Sequence, residues 1–121
     1  MFGPSDFTDD SANNLSHEAG ILFGVKQADK DMLKLASPVT YITPDDPPIL
    51  ILHGDKDSTV DLKQSELFFN ALAAAGVHTE LVIVQDGEHG FVPVGVDFTI
   101  PTRGQITQIM IEFFDKYLKA P

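Results

Sequence analysis

Four branched apolar residues in unbroken succession, Ile49-Leu50-Ile51-Leu52, run straight into His53, Gly54 and Asp55, with Asp57 two positions further on. Side chains of a strand point alternately to opposite faces, so a run without polar alternation expects apolar cover on both. That is the pattern of an interior strand in a parallel sheet, and the rigid TPDDPP turn at 43–48 leads the chain into it. ELVIVQ at 80–85 reads as a second buried strand, closed by the turn-forming DGEHG at 86–90. Between the two, Asp61 followed three residues later by Gln64 resembles a capping box. The helix it opens over 62–75 places Leu62, Phe69, Leu72 and Ala73 near one face, and Gly76 ends it. Strand, helix and parallel strand make a βαβ unit, whose crossover is expected to be right-handed.

The flanks are less regular. Residues 3–20 are rich in Gly, Pro, Ser, Asn and Asp and read as loop with at most a short helix. Met32, Leu33 and Leu35 predict one or two helical turns within 28–36, stopping before Ser37 because Pro38 disfavours the helical region at the residue preceding it. After a loop containing Pro93, Gly95 and Pro101, Thr102 and Gln105 signal another capped helix, over 103–119. Its apolar positions Ile106, Ile109, Met110, Phe113, Tyr117 and Leu118 follow helical spacing, so this helix is expected to pack on the sheet. The predicted class is α/β, with parallel strands 49–53 and 80–85 and flanking helices 62–75 and 103–119.

Bulk properties narrow the partners. A chain of 121 residues, 43% of them hydrophobic, has material for one modest core and hence a single domain, 1–121. Eighteen acidic against eight basic side chains give a net charge of -10, which repels phosphate backbones and anionic lipid headgroups, so neither nucleic acid nor a membrane is an expected partner. No apolar run approaches the roughly 20 residues of a membrane span. The absence of cysteine removes disulfides, thiolate metal sites and a cysteine nucleophile. MFGPSDFTDD lacks the basic and apolar regions of a signal peptide, which leaves the compartment open.

Functional groups of open α/β sheets gather beyond the carboxyl ends of the strands. Asp55 and Asp57 follow the first strand, Glu88 and His89 the second, and neighbouring parallel strands bring these tips together. An Asp beside a His can accept the imidazole N–H, select its tautomer and stabilise the imidazolium formed when the ring takes a proton. Spacing alone leaves alternatives standing: Asp57 also suits a capping carboxylate before a helix, and His89 a polar residue in a glycine-flanked turn.

The stretch from SPVTYITPDDPPILILHGDKDSTV through ELVIVQDGEHGF resembles the C-terminal part of α/β-hydrolase-fold enzymes. It is similar to the esterase group that includes feruloyl and acetyl-xylan types and prolyl-oligopeptidase-like hydrolases. The resemblance extends back to FGPSDF and forward to the last helix. It implies that Asp57, the second acidic position of the HGxxDxxV segment, is the acid of a catalytic triad, with Val60 at the segment's hydrophobic position. It implies that His89, in the HGF turn, is the base. His53 then falls on a structural histidine of the family.

The triad of this fold runs Ser, Asp, His, with the serine in a G-x-S-x-G elbow. Ser5, Ser11, Ser16, Ser37, Ser58 and Ser65 all lack the flanking glycines. The chain is thus expected to be the acid- and base-bearing C-terminal half of a serine-type carboxylic ester hydrolase, with nucleophile and oxyanion hole supplied elsewhere. Loss of the nucleophile alone costs about 10⁶ in turnover in a well-studied serine protease, so the isolated chain is expected to be inactive. The intact enzyme would act on small-molecule or carbohydrate-linked esters. The alternative is a non-catalytic truncated fragment serving as an oligomerising or binding module. In either case the first strand presents an unpaired edge on which only Met1 and Phe2 could remain of a neighbour, so an N-terminal half or another copy is expected to cover it.

Other residues carry blander expectations. Asp55 reads as a solvated turn residue, Ser58 as a turn hydrogen bonder, and His17 and His78 as surface loop residues. Glu88 beside His89 lacks the spacing of a metal site, so neither metal nor cofactor is expected. Phe113, Phe114 and Tyr117 read as core, and the run Asp6, Asp9, Asp10 as a solvated loop.

Overall fold

The computed structural model describes residues 3–9 and 15–119, without the side chains of 15–18. Helix α1 spans Leu15–Phe23, α2 Lys30–Ala36, strand β1 Ile49–Gly54, helix α3 Leu62–Ala74, strand β2 Thr79–Val84 and helix α4 Arg103–Leu118. A 3-10 turn at Pro38–Tyr41 follows α2. β1 and β2 pair in parallel, in a register that sets Ile49 against Thr79 and Gly54 against Val84. Both strands therefore end at the same level, and the loops that leave them start side by side.

Two apolar clusters clamp the sheet from opposite faces. On one side Ile51, Phe68, Leu72 and Val77 form a buried cluster joined by Ile49 and Leu81. On the other Leu52, Val84 and Ile106 are buried, with Leu50, Val82, Phe91 and Met110 packed against them. Alternation along β1 thus sends Ile49 and Ile51 towards α3 and Leu50 and Leu52 towards α4. Each fully buried side chain of this size contributes about 1.5–3 kcal/mol. A third cluster, Ala19, Ala28 and Leu33, joins α1 to α2.

The burial is less complete than the unbroken apolar runs suggest. Ile51 and Leu52 are buried, but Leu50 borders an open cavity of about 310 Å³ that it shares with Met110, Phe113 and Phe114. In β2 only Val84 is fully buried, and Ile83 is 45% exposed. No third strand pairs with either one among the described residues, so side chains that would be covered in a wider sheet face outwards. The buried positions of α3 are Gln64, Ser65, Phe68 and Leu72; Ala73, expected on that face, is exposed and Phe69 is half-buried. In α4, Phe113 is buried, whereas Phe114 and Leu118 are exposed because they stand off the stripe that meets the sheet.

Helix ends explain most of the boundaries. The Thr102 hydroxyl accepts from Gln105 N–H while the Gln105 side chain accepts from Thr102 N–H, a complete capping box. Asp29 caps α2 through Met32 N–H, and Ser37 ends it before Pro38. The short helix allowed within 3–20 is the start of α1, which covers nine residues and places His17, read as a loop residue, on a helix.

Gln64 corrects the reading at α3. Asp61 caps the helix by accepting from Lys63 N–H, but Gln64 does not reach back to it. Its Oε1 instead accepts from Ser5 N–H at 2.9 Å and Asp6 N–H at 2.8 Å, and its backbone carbonyl accepts the Ser5 hydroxyl. A buried amide thereby anchors a segment 59 residues away. Gln64→Ala leaves buried donors without acceptors and is expected to cost about 1–3 kcal/mol, measured as a lower urea midpoint at unchanged slope. Nearby, Asp9 pairs with Lys63 at 2.9 Å and Asp6 accepts from Thr8, so this acidic stretch is partly tied down; Asp10, like Met1 and Phe2, lies outside the described residues.

Candidate active site

Because the register ends β1 at Gly54 opposite Val84, the 55–60 and 85–90 loops leave the sheet together. Their first residues interlock: Asp55 N–H donates to Val84 carbonyl at 3.1 Å and Lys56 N–H to Gly87 carbonyl at 2.9 Å. This approach requires that position 54 carry no side chain, since a Cβ there would lie 2.1 Å from the Gly87 carbonyl oxygen. Asp55, expected to be solvated, is exposed yet accepts from Asp86 N–H at 2.7 Å across the same seam.

Asp57 stands three residues beyond β1 with a side chain only 1% exposed. Its Oδ1 accepts from Thr59 N–H at 2.9 Å and Val60 N–H at 2.8 Å, an Asx-type arrangement that turns the chain into α3. Its Oδ2 faces His89 Nδ1 at 2.9 Å and His53 Nε2 at 3.2 Å. Burial pushes this carboxyl up, but the Val60 N–H, the His89 ring and the Thr59 N–H together outweigh it and hold Asp57 below its ordinary range.

The two imidazoles differ in purpose. His53 is fully buried, with Nε2 against the Val60 carbonyl at 2.8 Å as well as Asp57, and Nδ1 against the Ser65 hydroxyl at 2.6 Å. Two acceptors at Nε2 place the proton there, leaving Nδ1 to accept from Ser65. His53 thus ties β1, the Asp57 loop and α3 together, and its contact with Asp57 was not apparent from spacing. His89 is 36% exposed at its side chain and directs Nδ1 at the carboxylate, so Nδ1 carries the proton and Nε2 is the basic nitrogen of the neutral ring.

The turn bearing His89 is built from unusual backbone. Gly90 and Phe91 both lie in the left-handed region, with φ of 73° and 62°, the second uncommon for an aromatic residue. Phe91 is held there by its N–H to the Glu88 carbonyl at 2.8 Å and by packing against the cluster of Leu52, Val84 and Ile106. One oxygen of Glu88, Oε1, accepts from Ser58 N–H at 2.6 Å and from His89 N–H at 2.9 Å. The spacing that argues against Glu88 as a metal ligand gives no sign of this bridging contact.

His78 is exposed and packs against Tyr117 at a tilt, with 5.1 Å between ring centroids. The dyad itself joins groups 32 residues apart in sequence, and the site therefore exists only through the β1–β2 pairing.

Comparisons with known proteins bear on what such a site belongs to. The BD-FAE family model matches residues 1–72. Esterase LipQ of Mycobacterium tuberculosis is 44% identical over 48 residues, which cover 40% of this chain and 11% of LipQ. A bifunctional GH43-CE protein of Bacteroides eggerthii superposes with a TM-score of 0.73 at 33% identity, over 98% of this chain and 16% of that one. A truncated carbohydrate esterase from gut microbiota superposes with a TM-score of 0.66 at 34% identity, over 74% of this chain and 33% of that one. The chain thus spans about a tenth of LipQ's length and a third or less of these solved chains. On the match over residues 1–72 and this shared architecture, the chain belongs to the BD-FAE family of α/β-hydrolase-fold esterases.

Proposed function

We propose that Asp57 and His89 are the acid and base of a Ser–His–Asp triad for carboxylic ester hydrolysis, acting on a serine carried by another segment. The observation that supports this most is the 2.9 Å contact between His89 Nδ1 and Asp57 Oδ2, made by a carboxylate whose other oxygen is occupied by two backbone amides. In that arrangement Asp57 holds the ring in the Nδ1–H tautomer. His89 Nε2 takes the proton of the attacking hydroxyl and returns it to the leaving alcohol, and Asp57 stabilises the imidazolium between the two steps. Hydrolysis of the acyl-enzyme repeats the exchange with water as nucleophile. Donors for the oxyanion come from the segment that bears the serine. Asp55, Asp86 and Glu88 lie on the same two loops as the dyad and, with Asp57, disfavour an anionic substrate. Uncharged esters, either small or joined to carbohydrate, are the substrates this reading favours.

The test is a p-nitrophenyl acetate assay on the chain alone and then mixed with an N-terminal hydrolase segment that bears G-x-S-x-G. Activity is expected only on mixing, and His89→Ala is expected to lower it by at least about 10³. A mixture that stays active in the His89→Ala variant rules out His89 as the base.

A second reading is favoured by the apolar surface beside β1. Phe114, 54% exposed, lines the open cavity at Leu50 and Leu52, and Leu118, one helical turn on, is 74% exposed. A binding or assembling module would use this surface, covered by an N-terminal half or a second copy. A stable homo-oligomer that gains no activity on mixing supports it.

A further inference from the structure

We infer that Glu88 is a positioning residue that sets the Asp57–His89 separation by bridging the two loops through one carboxylate oxygen. This rests on the acid–base reading of that pair. Oε1 accepts from the amide of Ser58, the residue that follows Asp57, and from the amide of His89 itself. A single atom therefore holds the backbone within one peptide unit of each member of the dyad. The other cross-loop bonds sit closer to the sheet: Asp55 N–H to Val84, Lys56 N–H to Gly87, and Asp86 N–H to Asp55. They align the loop bases, the last of them at Gly87, two residues before His89. Glu88 is the bridge at the level of the reacting groups.

Chemistry favours the carboxylate in this role. Two N–H donors converge on one oxygen, which an anion accepts better than a neutral group. The His89 amide first, then the amide and hydroxyl of Ser58, hold Glu88 below its ordinary range against partial desolvation and the like charge of Asp57. The adjacent backbone adds to the demand for a fixed anchor, since Gly90 and Phe91 lie in the left-handed region immediately after His89. With Glu88 removed, the Ser58 and His89 amides lose the acceptor they share, and the Lys56 N–H bond to the Gly87 carbonyl joins the two loops only nearer the sheet.

The experiment uses the 121-residue chain in solution and two NMR readouts. One is hydrogen exchange at the Ser58 and His89 amides; the other is the His89 Nδ1–H proton, which is shifted downfield when bonded to a carboxylate. Glu88→Ala is expected to accelerate exchange at both amides by roughly tenfold and to broaden or remove the Nδ1–H signal. Glu88→Gln, which keeps an acceptor oxygen, is expected to restore the signal and most of the protection. If Glu88→Ala speeds amide exchange but leaves the Nδ1–H signal unchanged, the bridge does not position the dyad and the inference is overturned. Unchanged exchange overturns it as well, as does a Glu88→Gln variant no better than Glu88→Ala. The dyad reading has its own control: a wild-type Nδ1–H signal that survives Asp57→Asn unaltered means that the acid–base pairing fails, and the inference falls with it.

Discussion

Gly54→Ala is expected to pry apart the two loops that carry Asp57 and His89. A Cβ at position 54 meets the Gly87 carbonyl oxygen at 2.1 Å, its carbon at 2.7 Å and the Glu88 carbonyl oxygen at 3.0 Å. All three are backbone atoms, so no side chain can swing away to make room. The Gly87 carbonyl must retreat, and with it goes the bond from Lys56 N–H, the first tie between the loops beyond the strand ends. Overpacking of this kind costs about 1–3 kcal/mol, with larger values where rigid backbone must move. The measurement is the urea midpoint of the variant, together with the His89 Nδ1–H signal that reports contact with Asp57. Gly87→Ala supplies the contrast. Its Cβ would meet Val84 Cγ1 and the Val84 carbonyl at 3.1 Å, a squeeze of tenths of an ångström, and the expected loss is smaller. Equal stability of Gly54→Ala and wild type would show that the seam is not close-packed.

Asp57→Asn is expected to damage both stability and chemistry, because the carboxylate serves four donors with no lone pair to spare. Thr59 and Val60 amides lie on Oδ1, and His89 Nδ1 and His53 Nε2 on Oδ2. An amide can present only one oxygen. If that oxygen keeps the two backbone donors, its NH₂ group confronts two ring N–H groups, and His89 is driven to the tautomer that can no longer accept a proton at Nε2. Hydrogen bonds to a charged acceptor are worth about 1.5–3 kcal/mol each, and an unpaired buried donor adds to the loss, so a fall of a few kcal/mol in unfolding free energy is expected. In the reconstituted assay the same substitution is expected to lower turnover by about 10⁴, the cost of the wrong tautomer in a serine protease.

Acid sensitivity follows from the same contacts. Asp57 titrates lower in the folded chain than the ordinary value of 3.8. Its contribution to stability is therefore complete above about pH 3.8 and is lost as pH falls through the lower folded value, where the proton displaces the amides and the imidazole. Unfolding free energy of the wild type is expected to decline over that acid range, and Asp57→Asn is expected to remove part of the decline. Glu80 and Glu88 are also held low, Glu80 first by His78 and then by Lys116, so they contribute to the slope that remains. An acid limb identical in wild type and Asp57→Asn would contradict this assignment.

Local pattern was enough to reveal the βαβ unit. The unalternated Ile49–Leu52 run, the capped helix after Asp61 and the DGEHG turn each answer to forces within a few residues, namely face-by-face burial, capping and turn chemistry. Boundaries moved by only a residue or so: β1 ends at Gly54 and β2 begins at Thr79. Which side chains those elements bury was less legible. Phe68 takes the core position that helical counting gave to Phe69, and Phe114 faces solvent, because the direction from which the sheet approaches each helix is a tertiary fact.

Asp57 and His89 could be named as the candidate acid and base from the residues and the family they resemble. Their 2.9 Å meeting depends on a strand register that ends both strands at one height and on a glycine seam that lets the loops touch. The bridging of Glu88 to Ser58 and the reach of Gln64 to Ser5 share that origin. Each joins residues distant along the chain, and a hydrogen bond between such residues has no periodicity to betray it. Propensity and burial act on neighbours in sequence; these bonds follow only once the chain has brought their donors and acceptors within 3 Å or so of one another.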